Sequence, residues 1–268
     1  MDEMENTFNK ATFWTLIRAE MKKIFFLTFS KKYLFALVVF SLGLGLIFSL
    51  TTDVTQGRDV TELSPMDVIS ASMLGVDLTN VMFIVFTAWS LSNELSTKFI
   101  HVSLAVTPNR RRFFLTKWMA YFLLSVGISL VTVLLTSLAG QLVLIAHNQP
   151  MVPVLDPSFL QLVTGLMIMP VFYGVLTAAA AFIFMNSGKA MVFSLGVMAV
   201  PALIKMFSAP IQQIFLPLFP QSAIHSLAGI VERSSFESVG VAFAIFLLLL
   251  WIILTIIMAL VRFQRKDF

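Results

Sequence analysis

The chain has 268 residues, of which 58% are hydrophobic and 12% charged, whereas an ordinary soluble domain is about 45–50% apolar and about 25% charged. That imbalance excludes an ordinary soluble protein and assigns the chain to the membrane. The net charge of +4 does not argue for nucleic acid as a partner, because basic residues in a membrane protein record topology, and the lack of cysteine excludes disulfide scaffolds and thiolate metal sites.

The opening MDEMENTFNK is polar and acidic, unlike the basic start and immediate apolar run of a secretory signal peptide. The next stretch, FWTLIRAEMKKIFFL, sets Phe13, Trp14, Ile17, Met21, Ile24 and Phe25 on one helical arc, with Thr15, Arg18 and Lys22 opposite and Lys23 adjoining. Such a helix is expected to lie in the membrane interface, aromatic side toward lipid and basic side toward the headgroups. Glu20 breaks the pattern by falling on the apolar arc.

A helix crosses the hydrocarbon core with about 20 mostly apolar residues. Six segments meet that requirement: 33–50, 68–91, 118–146, 158–184, 190–204 and 239–261. The expected fold is therefore an all-α integral membrane protein in one unit, 33–261, preceded by an N-terminal segment, 1–32, and followed by a basic tail, 262–268. The third span is longer than a perpendicular crossing needs and is expected to tilt or project. An even number of crossings returns both termini to one side. Lys10, Arg18, Lys22, Lys23, Lys31, Lys32, Lys98, Arg110, Arg111, Arg112, Lys117, Lys189, Arg262, Arg265 and Lys266 share that side, against only Arg58, Lys205 and Arg233 on the other. The excess marks the termini as cytoplasmic.

Two connections are more than simple loops. Between spans two and three, NELSTKFIHVSLAVTPNRRRFFLTKW is too polar to span and too apolar for a solvated loop. A short cytoplasmic helix or turn under the bundle is expected there, broken by Pro108 because the residue before a proline is pushed out of helical geometry. Between spans five and six, Pro210, Pro217 and Pro220 interrupt an apolar stretch. Irregular backbone at membrane depth must be buried in protein or line a wet cavity, so a pair of short helices dipping into the outer leaflet is expected.

Little in the spans points to chemistry. Ionisable residues inside a membrane are costly and mark function, and the best candidate is Asp77, roughly sixteen residues or ~24 Å from the cytoplasmic end of its span. It is a candidate for the cargo path, with a carboxylate hydrogen-bonded to Thr79 or Asn80, or reaching the outer water, as the plain structural reading. Lys205 and His225 lie near the outer surface, where long side chains reach the interface. His101, His147 and His225 are scattered, with no HExxH spacing and no other metal signature. No GxSxG elbow supports a hydrolase. NSGKA around Lys189 lacks the first glycine of a phosphate loop and places Ala190 where a magnesium ligand belongs. No catalytic or metal site is expected, and no cofactor bound by this chain. Gly43 with Gly45, Ala178 to Ala181, and Gly188 with Gly196 permit close helix contacts, and Pro170 and Pro201 would kink spans four and five.

In order and placement, these features resemble the permease subunit of type 2 ABC transporters, a six-span exporter-like family. In that family a basic interfacial helix precedes span one, and span two ends in a Glu followed by a Gly-Thr pair. A Leu, a Pro and one or more Arg then lead through a Lys into span three. The matching residues are Glu94, Ser96, Thr97, Leu104, Pro108, Arg110, Arg111, Arg112 and Lys117, with Ser96 where Gly is usual. The resemblance covers essentially the whole chain. It implies a multi-pass subunit of a bacterial cell membrane whose coupling segment, 93–117, docks a separate cytoplasmic ATPase that binds ATP and Mg. It further implies pairing with a second copy or a related permease, and export of a small amphipathic peptide, bacteriocin or drug-like cargo. Two other readings stand beside it. A non-transporting membrane sensor or immunity protein would use the same cytoplasmic surface, and an ion-coupled secondary transporter would need midplane ionisable residues and inverted repeats, neither of which is visible.

Overall fold

Apolar runs of spanning length satisfy their backbone polar groups only within themselves, which makes helices the available form. A computed structural model describes residues 12–96, 109–232 and 234–266, and no strand occurs among them. Its helices are Phe13–Phe26 (α1), Thr28–Leu50 (α2), Thr52–Gln56 (α3), Pro65–Ser72 (α4), Leu74–Ser96 (α5), Arg110–Ala146 (α6), Pro157–Phe184 (α7), Ser187–Ile204 (α8), Ala209–Phe215 (α9), Pro220–Ala228 (α10) and Val241–Arg265 (α11). Six stretches are long and apolar enough to cross a membrane: α2, α4 with α5, α6, α7, α8 and α11.

These coincide with the six expected spans, but two differ in form. The second is divided at Met73 into α4 and α5, and the third begins at Arg110 rather than near residue 118. Charge ends a hydropathic span, but it does not end a helix. Asn109 accepts from Arg112 N at 3.1 Å and so fixes the start of α6. Asp156 and Asn186 cap α7 and α8 in the same way.

At the centre stands α7, whose spanning window is 83% buried, against 28% for α2, α8 and α11. It packs on α5, α6, α8, α10 and α11. Small side chains make that possible: Ala178, Ala179, Ala180 and Ala181 are all fully buried, so neighbouring helices approach on every face. A second close contact joins α2 to the divided span. Gly45 lies against Ser72 O and Gly75 against Ser41 O, so that a Cβ at either glycine would collide with backbone. Beside this crossing Thr79 donates to Ser41 Oγ at 2.8 Å.

The first described helix and the last described residues lie at one end of the bundle. Arg110 Nη1, at the start of α6, donates to Gln264 O at 3.0 Å and Lys266 O at 2.6 Å, and Phe113 stacks on Phe263. Helix α1 joins them by packing on α6. At the opposite end α9, a short 3-10 turn at Leu216–Leu218 and α10 fill the connection between α8 and α11. Here α10 runs antiparallel to α7: Gln221 meets Tyr173, while Ala228 meets Gly165.

Candidate functional site

Four charges converge where the termini-bearing end of the bundle meets α1. Lys117 sits two turns into α6 with only 2% of its side chain exposed. An isolated ammonium in that position would be strongly disfavoured. It survives because Nζ lies 2.7 Å from Glu20 Oε2 and 2.7 Å from Glu94 Oε1, with the Phe113 ring centroid 5.1 Å away as a further cation partner. Lys23 approaches the same Glu94 oxygen at 2.7 Å, with half of its own side chain exposed. Two acids and two bases thus neutralise one another across three helices.

The elements explain why these residues meet. Ile17, Glu20, Met21 and Ile24 share the face of α1 turned to the bundle, with Ile17 and Ile24 buried. Glu20 breaks the apolar arc because this face looks onto Lys117. Trp14, by contrast, is 65% exposed, and Phe25 and Phe26 are exposed with it. Arg18 and Lys22 are exposed on the outer side of the helix. Glu94 lies in the last turns of α5 and Lys117 in the first turns of α6, so the cluster ties both flanks of 97–108 to the N-terminal helix.

The arginine triplet divides its work. Three cations in the first turn of a helix oppose its dipole, and only Arg111 is left exposed at that position. Arg110 turns to the carbonyls ending α11, where a cation satisfies acceptors that no intrahelical donor reaches. Arg112 is half-buried, and its backbone N–H is held by Asn109. Thr97, Leu104 and Pro108 lie outside the described residues, as does the side chain of Ser96.

A second polar cluster occupies the opposite end, and most of it escaped sequence reasoning. Tyr173 Oη donates to Gln221 Oε1 at 2.8 Å. Gln221 Nε2 lies 2.8 Å from His225 Nε2, and His225 Nδ1 lies 2.9 Å from Glu237 Oε1. Lys205 Nζ completes the chain at 2.5 Å from Glu237 Oε2. One proton assignment satisfies every link: the amide donates to Nε2 and Nδ1–H donates to the carboxylate. Burial alone would raise the Glu237 carboxyl, but the hydrogen bonds it accepts from His225 and Lys205, with the Lys205 charge beside it, prevail and hold it below its ordinary value.

Asp77 lies within electrostatic range of this cluster, through His225 and Tyr173. Among the described residues no hydrogen bond links Asp77 to Thr79 or Asn80: Thr79 donates to Ser41 and to Gly75 O, and the fully buried Asn80 amide has no protein partner. Among the described residues no group of three His, Asp or Glu side chains is placed to hold a metal ion. The contacts at both clusters supply electrostatic pairing and proton sharing. Comparison with known proteins adds no assignment: no protein-family model, no curated protein and no solved structure matches the chain.

Proposed function

We propose that this chain is the membrane-spanning subunit of an ATP-driven exporter, moving a small amphipathic cargo with the energy of a separate cytoplasmic ATPase. The observation that carries the reading is the Glu20–Lys117–Glu94–Lys23 cluster. It mounts the N-terminal helix and both flanks of 97–108 on one rigid base, as a segment that receives force from a docked partner requires. Arg111, exposed beside that base, offers a cation to the partner. In this reading α1 is the interfacial helix, with Trp14 in lipid. The 93–117 stretch is the coupling segment, α9 and α10 are re-entrant, and both termini are cytoplasmic. A second copy or related permease completes the cargo path, which passes near Asp77.

The test is purification from the native membrane in mild detergent. A nucleotide-hydrolysing subunit at equal stoichiometry, with hydrolysis that rises when amphipathic peptides are added, is the expected result. Recovery of the chain with no ATPase would remove the exporter reading. An ATPase whose hydrolysis ignores such peptides would argue for a sensor or immunity role instead.

A further inference from the structure

At the termini-bearing end an open cavity of about 610 Å³ lies between the ends of α7 and α11. Its walls change character along one stripe of α11. Met258 and Val261 are apolar, while Arg262 and Arg265, each one turn further on, carry charge. Lys266 completes the basic rim, Phe184 of α7 stands opposite, and among the described residues no carboxylate lines the space. Neither Arg262 nor Arg265 forms an ion pair with a described residue. The rim is also held in place, because Arg110 pins the backbone at Gln264 and Lys266.

Cations in the last turn of a helix complement its dipole, which accounts for their charge but not for an apolar cavity below them. Guanidinium groups match phosphate oxygens in a bidentate manner, and basic pockets between membrane helices suit acidic lipid headgroups. We propose that this groove binds one anionic phospholipid of the leaflet on the termini-bearing side. Its phosphate sits between Arg262 and Arg265, and an acyl chain lies along Met258, Val261 and Phe184. The proposal does not depend on the exporter reading, since a lipid site of this kind serves any membrane protein.

Native mass spectrometry of the full-length protein tests it, with equal amounts of dioleoylphosphatidylglycerol and dioleoylphosphatidylcholine supplied in neutral detergent. The wild type is expected to retain the glycerol lipid on the order of tenfold better, and Arg262→Ala with Arg265→Ala to abolish that preference. Both residues are exposed, so the variant's elution profile and unfolding midpoint should match the wild type. If the double variant cannot be purified, Arg265→Gln reads the same loss in smaller measure. Lys31→Ala with Lys32→Ala removes two exposed cations elsewhere at this end and should leave the preference intact. An equal loss in that control would mean diffuse surface charge and overturn the site, as would a double variant that keeps the preference. Displacement of the lipid by millimolar glycerol phosphate would also overturn it, since the headgroup anion alone would then be the ligand.

Discussion

Lys117 shows how a single residue can be costly to change and yet hard to interpret from sequence. Its ammonium, on a side chain only 2% exposed, serves two carboxylates, and removing one partner of a buried ion pair costs about 3–5 kcal/mol. Lys117→Met should therefore lower stability by that order, read as the thermal unfolding midpoint in detergent. Combining it with Glu20→Gln and Glu94→Gln should recover most of the loss, because the uncompensated charge is gone. Lys23 is half-exposed, so Lys23→Ala should cost less than about 1 kcal/mol. If the single lysine variant is as stable as the wild type, Lys117 does not hold the mount together.

Glu237 gives the pH counterpart at the other end. Its carboxyl is held below the ordinary value of 4.5 by His225 and Lys205. For a depressed acid the stabilisation is fully present above the unfolded-state value and disappears as pH falls through the folded-state value. The unfolding midpoint should accordingly fall as pH drops from about 5 into that lower range, and Glu237→Gln should flatten that part of the curve. An unchanged acid limb in the variant would show that other carboxylates govern it.

At the scale of elements, two glycines separated by one residue make a sharper test than either alone. Gly43 has nothing within 4 Å of an added Cβ, whereas Gly45 would drive one into Ser72 O. Gly43→Ala should be neutral or stabilising by roughly 0.5–1 kcal/mol, since glycine inside a helix carries an entropic cost. Gly45→Ala should destabilise by about 1–3 kcal/mol through overpacking between α2 and α4. Equal effects at the two positions would place the α2 crossing elsewhere. Sequence grouped these glycines as one packing device, because small residues announce a possible close approach without saying which helix approaches. The same limit explains the rest of what went unread. Hydropathy located six spans, but the break at Met73 follows from packing. The start of α6 at Arg110 depends on a helix continuing through its charged turn. Glu20 was visible as a misfit on an apolar arc, and Lys117 as a charge at a span boundary; only folding brings them together. Tyr173, Gln221, His225 and Glu237 come from three separate stretches, and no local pattern could join them.

For the whole molecule the open quantity is the side of the membrane on which each end lies. Read from the sequence, six crossings put fifteen Lys and Arg residues on the side of the termini and three on the other, and the proposal that the termini are cytoplasmic rests on that excess. Both ends of the bundle carry a neutralised ion cluster, so neither cluster by itself sets the orientation. That task falls to exposed cations such as Lys31, Lys32, Lys189 and Arg111. The chain has no cysteine, and so single cysteines report sidedness without background. Arg58→Cys, exposed in the connection between α3 and α4, should react with a membrane-impermeant maleimide in intact cells. Lys31→Cys and Lys189→Cys should react only after the membrane is opened. The reverse pattern would turn the 93–117 segment away from any cytoplasmic ATPase and end the exporter reading. The Glu20–Lys117–Glu94 mount would remain in that case as a structural clasp, because its stability depends on burial and pairing rather than on which compartment it faces.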